Sequence, residues 1–319
     1  MKVALIGGVE SSLLTLRKLY EHQLDIVKVF GYQPKSTRLV SGYSDLEPFC
    51  VENSIDFTPF TKINEHVDEI TALDIDFLLV VGLSQLVSED IINTPKLGAI
   101  GFHPTKLPKG RGRAPVAWLV NEVAEGAATF FMLEEEADAG AIVAQKSFEV
   151  TNEDDAKSVE FKLYDAMISA LDSLLPQLAN GKLNAIDQDD LQATEFGIRK
   201  PEDGLIDWSR SACEIDRLIK AASEPHPGAF TYSDTKRIEV KASKIDKDSK
   251  IKGIEGRILK LNDDQALVQT GDGLIWITMV LSGTDKVRVG SLLGYKVDLE
   301  IYELKKQIAE LKEIIRNIS

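Results

Sequence analysis

The sequence predicts an α/β fold: a larger first domain built on a mostly parallel sheet, a smaller β-barrel domain behind it, and a separate terminal helix. Three observations carry this. Residues 2–6 are a short apolar strand pattern that runs into Gly7 and Gly8 and then into helical spacing, the opening unit of a parallel sheet. Residues 76–82 are almost continuously apolar, as expected of a strand covered on both faces. Beyond residue 205 the pattern changes to short alternating segments punctuated by turn signals, which suggests a small antiparallel barrel. The expected organisation is a first domain over 1–182, a linker over 183–205, a second domain over 206–297 and an amphipathic helix over 298–319.

Each element has its own signal. Leu13, Leu14, Leu16 and Leu19 lie on a helix over residues 11–22, and residues 25–30 form the second strand. Thr151 is positioned to cap a long helix whose apolar positions are Val159, Leu163, Ile168, Leu171, Leu174 and Leu178, and which ends near Gly181. Residues 183–203 are polar and lack a clear period. A short helix follows over 212–222, then strands near 237–245, 257–261, 266–270 and 274–280. Asp272 and Gly273 between the last two form a hairpin signal. In the tail, Ile301, Leu304, Ile308, Leu311, Ile315 and Ile318 alternate spacings of three and four, a heptad seam that suits contact with a second copy, with its own chain or with an outside partner.

Bulk properties exclude several classes. The 319 residues suffice for two domains, and 44% hydrophobic with 28% charged residues describes a globular chain. No stretch approaches the roughly 20 apolar residues of a membrane span. The first residues read as a strand, not a signal peptide, so a cytoplasmic protein is expected. A net charge of −14 disfavours a nucleic-acid partner, whose binding depends on neutralising phosphates with Lys and Arg. Cys50 and Cys213 are far apart and lack metal-ligand spacing, so two buried thiols and no metal site are expected. Gly7, Gly8, Val9 and Glu10 lack the third glycine of a dinucleotide fingerprint.

The chemistry-bearing residues cluster in two places. His103 lies in a run rich in proline and glycine, from Gly101 through Phe102, Pro104, Thr105 and Pro108 to Gly110, Arg111, Gly112, Arg113, Ala114 and Pro115. Such a loop holds an imidazole in one position. Thirty-five residues later Asp138 sits on a second tight turn before Gly140. A pinned imidazole and a carboxylate are the material of proton transfer. Ligands of parallel sheets bind at the carboxyl ends of the strands, where residues 82–87 and the His103 loop both fall.

The runs Gly-Phe-His-Pro-Thr (101–105) and Leu-Pro-Lys-Gly-Arg-Gly-Arg-Ala-Pro (107–115), with Trp118 and residues 137–145, together resemble the folate-dependent formyltransferase family. The match is closest to its nucleotide-sugar N-formyltransferases. It returns in residues 199–204 and 225–230. The resemblance implies a Rossmann-like first domain and an OB-like second one. It also implies 10-formyltetrahydrofolate as formyl donor and a nucleotide-linked deoxyamino sugar as acceptor, for surface glycan synthesis. Methionyl-tRNA formyltransferase is the alternative. Against it stand the acidic charge and residues 34–40, which lack a dense basic insertion. A degenerate folate- or nucleotide-binding homologue is a further alternative.

Amine attack on a formyl carbonyl creates an ammonium and an oxyanion together, so a site must handle both. His103 is the expected catalytic group, either taking the proton or, as a cation, steadying the oxyanion; Asp138 orients it. Leu83, Ser84, Gln85, Leu86 and Val87, with Asp138, are the expected donor pocket. Lys109, Arg111, Arg113, Phe196, Arg199 and Lys200 are the expected acceptor contacts, with Arg111 and Arg113 either forking onto a diphosphate or buttressing their loop. One departure stands out. Relatives usually carry Asn-X-His, whose amide donates to the formyl oxygen, and here that position is Gly101. Lys106, a backbone amide and a differently placed His103 are the candidate substitutes.

Overall fold

The apolar alternation that opens the chain becomes an interior strand of a seven-stranded sheet. In the computed structural model, which describes residues 1–36, 40–234, 236–281 and 287–318, the chain divides into two units. One holds residues 1–199 with 224–226; the other holds 200–223 and the chain from 227 onward. Residues 37–39, part of the loop expected over 34–40, lie outside the described residues.

The first unit runs β1 (Lys2–Gly7), α1 (Glu10–Glu21), β2 (Asp25–Tyr32), α2 (Glu47–Glu52), β3 (Phe57–Phe60), α3 (Val67–Thr71), β4 (Phe77–Val80), α4 (Glu89–Ile92) and β5 (Gly98–Thr105). It continues through β6 (Arg111–Gly112), α5 (Pro115–Glu122), β7 (Gly126–Met132), β8 (Ile142–Phe148), α6 (Ala156–Ala179) and β9 (Glu195–Phe196). The sheet order is β3-β2-β1-β4-β5-β7-β8. The first five strands are parallel, and β7 and β8 add an antiparallel edge. The order reverses between β1 and β4, the switch point at whose carboxyl edge such sheets bind ligands. Helix α6 packs Leu163, Met167, Leu171 and Leu174 against Val3, Leu5, Phe77 and Leu79 on one face. Ile6, Phe30, Ile63, Leu78 and Ile91 pack together on the other. Burial on both faces is why β4 reads as an unbroken apolar run.

Two expectations are corrected here. The long helix is capped by Asp155, whose side chain accepts from the Ser158 amide, and not by Thr151. Thr151 instead donates its amide and hydroxyl to Asp154. Cys50 is buried, its thiol pushed up to about 12 by burial, but Cys213 is exposed.

Asp154 also accepts from Ser158 and pairs with Lys162 at 2.6 Å. These partners outweigh the cost of its burial and hold its carboxyl at about 2. A depressed carboxylate contributes stability above its ordinary value of 3.8, lost as pH falls towards 2. Asp154→Ala is expected to cost about 2 kcal/mol at pH 7 and to flatten that acid limb, as read by urea melts across pH.

The second unit comprises α7 (Ala212–Ala222), β10 (Ala229–Ser233), β11 (Lys236–Asp246), β12 (Ile258–Asn262), β13 (Gln265–Gln269), β14 (Leu274–Val280) and α8 (Val297–Ile318). Its five strands form an antiparallel sheet, order β10-β11-β14-β13-β12. Ile215 and Ile219 of α7 pack on Ile238, Val240, Val268, Ile275 and Ile277. Gly273 turns the β13–β14 hairpin at φ +92°, as the Asp-Gly signal requires. Strand β10 was not foreseen: its sequence, Ala-Phe-Thr-Tyr-Ser, pairs with β11 from Ala229↔Val240 to Ser233↔Lys236. In α8 every described side chain is exposed.

Candidate active site

His103 lies on a strand and not in a loop. Strand β5 pairs in parallel with β4 over Gly98 to Gly101 on one side and antiparallel with β7 from Ile100 onward on the other, where His103 faces Thr129. Pro104, which has no amide proton to give, sits where the β5–β7 register shifts. The strand therefore carries the imidazole to the carboxyl edge of the sheet. The loop after β4 leaves the same edge, because Val80 and Gly101 are neighbours in the ladder.

The imidazole is buried, and its Nε2 lies 2.8 Å from the Gly110 carbonyl. A carbonyl only accepts, so Nε2 carries the proton and the lone pair is on Nδ1. That Nδ1 is 3.6 Å from Asp138 Oδ2. Burial pushes the imidazole below its ordinary value of 6.5, opposed by the Asp138 charge and the Gly110 carbonyl. At neutral pH the ring is neutral, with its open nitrogen beside a carboxylate that steadies the proton once it arrives.

Asp138 holds a left-handed backbone, φ +58°, which aspartate tolerates better than most residues. Its Oδ2 accepts the Gly112 amide at 2.9 Å, so the carboxylate ties its own turn to the arginine-glycine segment of β6. The geometry can accept a proton at Nδ1 from a group approaching over the carboxyl edge.

The other expected residues divide. Arg111 points inward: its side chain is 7% exposed and spent on Gln188, on Asp190 at 2.7 Å and on Glu136 at 3.7 Å. Of the two readings given to it, the buttress is the one its geometry matches. Arg113 and Lys109 are exposed on the same stretch. Phe196 packs over Gly110 and stacks on Trp118 at 5.7 Å, and the Arg199 guanidinium lies 5.3 Å from the Trp118 ring. Lys200 belongs to the second unit, its amide donating to Asp203. In the expected donor pocket, Leu83 and Val87 lean on the apolar cluster, and Ser84 and Leu86 are exposed. The Gln85 side chain spans the Thr61 carbonyl and the Ile63 amide.

Gly101 is enclosed. A Cβ there would stand 2.7 Å from a Leu133 methyl and 2.9 Å from the Phe131 ring. Lys106 does not fill the role of the missing asparagine, because Glu125 holds its ammonium with both oxygens at 2.7 and 2.8 Å. Gly101→Asn is expected to lower stability by roughly 1–3 kcal/mol from overpacking, without raising turnover; thermal melts and rate assays check both.

Sequence reasoning passed over Gln188. Its Nε2 donates to the carbonyls of Asp138 at 2.8 Å and Gly140 at 2.7 Å, while its Oε1 accepts from Arg111. One amide thus joins the acid-bearing turn to the segment after His103. Thr194 adds to this, its hydroxyl accepting the Gly110 amide. Both residues fall in a stretch with no periodicity, and no local pattern marks them.

Residues 1–175 match the family profile described as formyl transferase, and residues 199–295 match the formyl transferase C-terminal domain. The chain belongs to the formyl transferase family. Among solved structures, this formyl transferase is similar to WlaRD, a sugar 3N-formyl transferase determined with dTDP and 5-N-formyl-THF. The two are 16% identical with a TM-score of 0.67, over 89% of this chain and 99% of that one. It is also similar to an N-formyltransferase from Helicobacter canadensis in complex with folinic acid and dTDP-3-aminofucose. That pair is 15% identical with a TM-score of 0.68, over 87% and 98% of the two chains. HypX from Aquifex aeolicus, in complex with tetrahydrofolic acid, shares 16% identity and a TM-score of 0.62. There the match spans 91% of this formyl transferase and 46% of the larger protein. At these identities the likeness is one of fold. Among the described residues of this formyl transferase no group of His, Cys, Asp and Glu is arranged to hold a metal ion, and no helix is long and apolar enough to cross a membrane.

Proposed function

We propose that this chain transfers the formyl group of 10-formyltetrahydrofolate to the amino group of a nucleotide-linked deoxyamino sugar, for surface glycan synthesis. The observation that carries the reading is the convergence of His103 Nδ1 and the Asp138 carboxylate at the carboxyl edge of the sheet, 3.6 Å apart. The amine attacks the formyl carbon, His103 takes the proton the amine must lose, and the tetrahydrofolate nitrogen leaves with that proton returned to it by the imidazolium. Asp138 stabilises the imidazolium so formed. The sugar acceptor is supported by two structures of this fold, one determined in the presence of dTDP and one in complex with dTDP-3-aminofucose.

Arg113, exposed next to the buried and engaged Arg111, is the arginine assigned to the diphosphate, with Lys109 beside it. Residues 83–87 and the Asp138 turn take the pterin. A cytoplasmic setting suits the two free cysteines. The exposed seam of α8 brings a second copy to the chain.

A panel of UDP-, TDP- and GDP-linked amino sugars with 10-formyltetrahydrofolate, read by mass, is expected to yield one acceptor that gains a single formyl group. Gly101 favours a second reading, a homologue that binds folate without turnover, because a donor to the formyl oxygen is worth roughly 3–4 kcal/mol in other acyl transfers. Folate binding with no formylation across the panel would establish that reading in place of the first.

A further inference from the structure

Val297, Ile301, Leu304, Ile308, Leu311 and Ile315 repeat along α8 at spacings of four and three, and each is 45–64% exposed. An apolar seam at this spacing on a helix of 22 residues is stabilised by burial against a partner more than by its own hydrogen bonds. The side chain of Ile318 lies outside the described residues, so the seam is taken to Ile315.

We infer that α8 pairs in parallel and in register with α8 of a second copy, as a two-stranded coiled coil. This rests on the self-association reading above and gives it an orientation and a stoichiometry. Isoleucine occupies the first core position of each heptad (301, 308 and 315) and leucine the second (304 and 311), the arrangement that favours two parallel strands.

The flanking charges select the same arrangement. In a parallel pair Glu300 faces the partner's Lys305, and the reverse, giving two ion pairs; Gln307 faces the partner's Lys312. Both antiparallel stackings set Lys305 against a lysine, either the partner's Lys305 or the partner's Lys312. One of them adds a contact between Asp298 and the partner's Lys312, but neither gives Glu300 a cation. The parallel form is the one without a like-charge contact flanking the core.

The test uses the full-length chain with Cys213→Ser, since Cys50 is buried. Light scattering is expected to give the mass of a dimer. Mild oxidation of Leu304→Cys alone, and of Leu311→Cys alone, is expected to give covalent dimers, because equivalent core positions meet in register. In an antiparallel pair single variants stay uncross-linked, while Leu304→Cys or Leu311→Cys mixed with Ile308→Cys cross-links; that pattern overturns the orientation and leaves self-association standing. A monomer mass overturns both, and a trimer mass overturns the stoichiometry. Glu300→Lys is expected to raise the dimer dissociation constant by roughly tenfold, with Lys305→Glu in the same chain restoring it. No restoration contradicts the charge assignment.

Discussion

Replacing His103 by alanine is expected to lower turnover by roughly 10²- to 10⁴-fold while the fold is retained. The ring touches the site through two atoms with separate duties. Nε2–H is committed to the Gly110 carbonyl and Nδ1 is open towards Asp138. His103→Gln tests the division, since a glutamine amide can still donate to the carbonyl but supplies no base; it should lose as much rate as alanine. Asp138→Asn keeps an oxygen that can accept the Gly112 amide and a residue type that tolerates φ +58°, so it removes charge with little change of shape.

The pH dependence follows with a definite sign. Burial lowers the imidazole below 6.5, so kcat/KM in the wild type falls on acidification with an apparent value under 6.5. Asp138 opposes that lowering, so Asp138→Asn moves the acid limb to lower pH as well as reducing the plateau. Stability carries the same signature. Above 6.5 the buried neutral ring costs no proton, and below it the unfolded chain binds protons more readily, so stability declines as pH falls towards the folded-state value. His103→Gln removes that contribution.

Gln188→Ala is expected to reduce turnover by about 10²-fold and to destabilise the first unit by about 1–3 kcal/mol. The loss has two sources. The Asp138 and Gly140 carbonyls lose their shared donor, and the Arg111 guanidinium, 7% exposed, loses an acceptor. Both effects let the Asp138 turn drift from His103, and a displacement of about 1 Å in such a pair costs on the order of 10²-fold. A role confined to stability would lower the melting temperature and leave kcat at temperatures well below the melt unchanged. A positioning role lowers kcat more than it raises KM and shifts the acid limb in the direction of Asp138→Asn. Gln188→Glu, which keeps the acceptor for Arg111 but loses the two amide donations, is expected to recover part of the stability and little of the rate.

The parallel sheet was legible because its strands are buried on both faces and its first helix follows at once. Residues 2–6, 25–30 and 76–82 announce β1, β2 and β4 by composition alone. His103 and Asp138 were legible as a pair through their motif and its spacing. Pro104 obscured the rest of that segment. Proline in a run of glycines reads as loop, whereas here it occupies a register shift in a strand that pairs in parallel on one side and antiparallel on the other. The helix cap was misplaced because Thr151, Asp154 and Asp155 are all competent acceptors or donors, and only the path of the chain decides among them. Gln188, the partner of Arg111 in the buttressing arrangement that was one of its two expected readings, was beyond reach for a different reason. Their bond joins residues 77 positions apart, and it turns inward an arginine whose sequence context points equally well to a phosphate.

The most direct test is long-range ¹H–¹⁵N NMR titration of the His103 imidazole, assigned among the chain's four histidines by His103→Gln. The account predicts a neutral ring protonated on Nε2, titrating below 6.5, and titrating lower still in Asp138→Asn. A ring protonated on Nδ1, or one that titrates above 6.5 and is indifferent to Asp138, would contradict it.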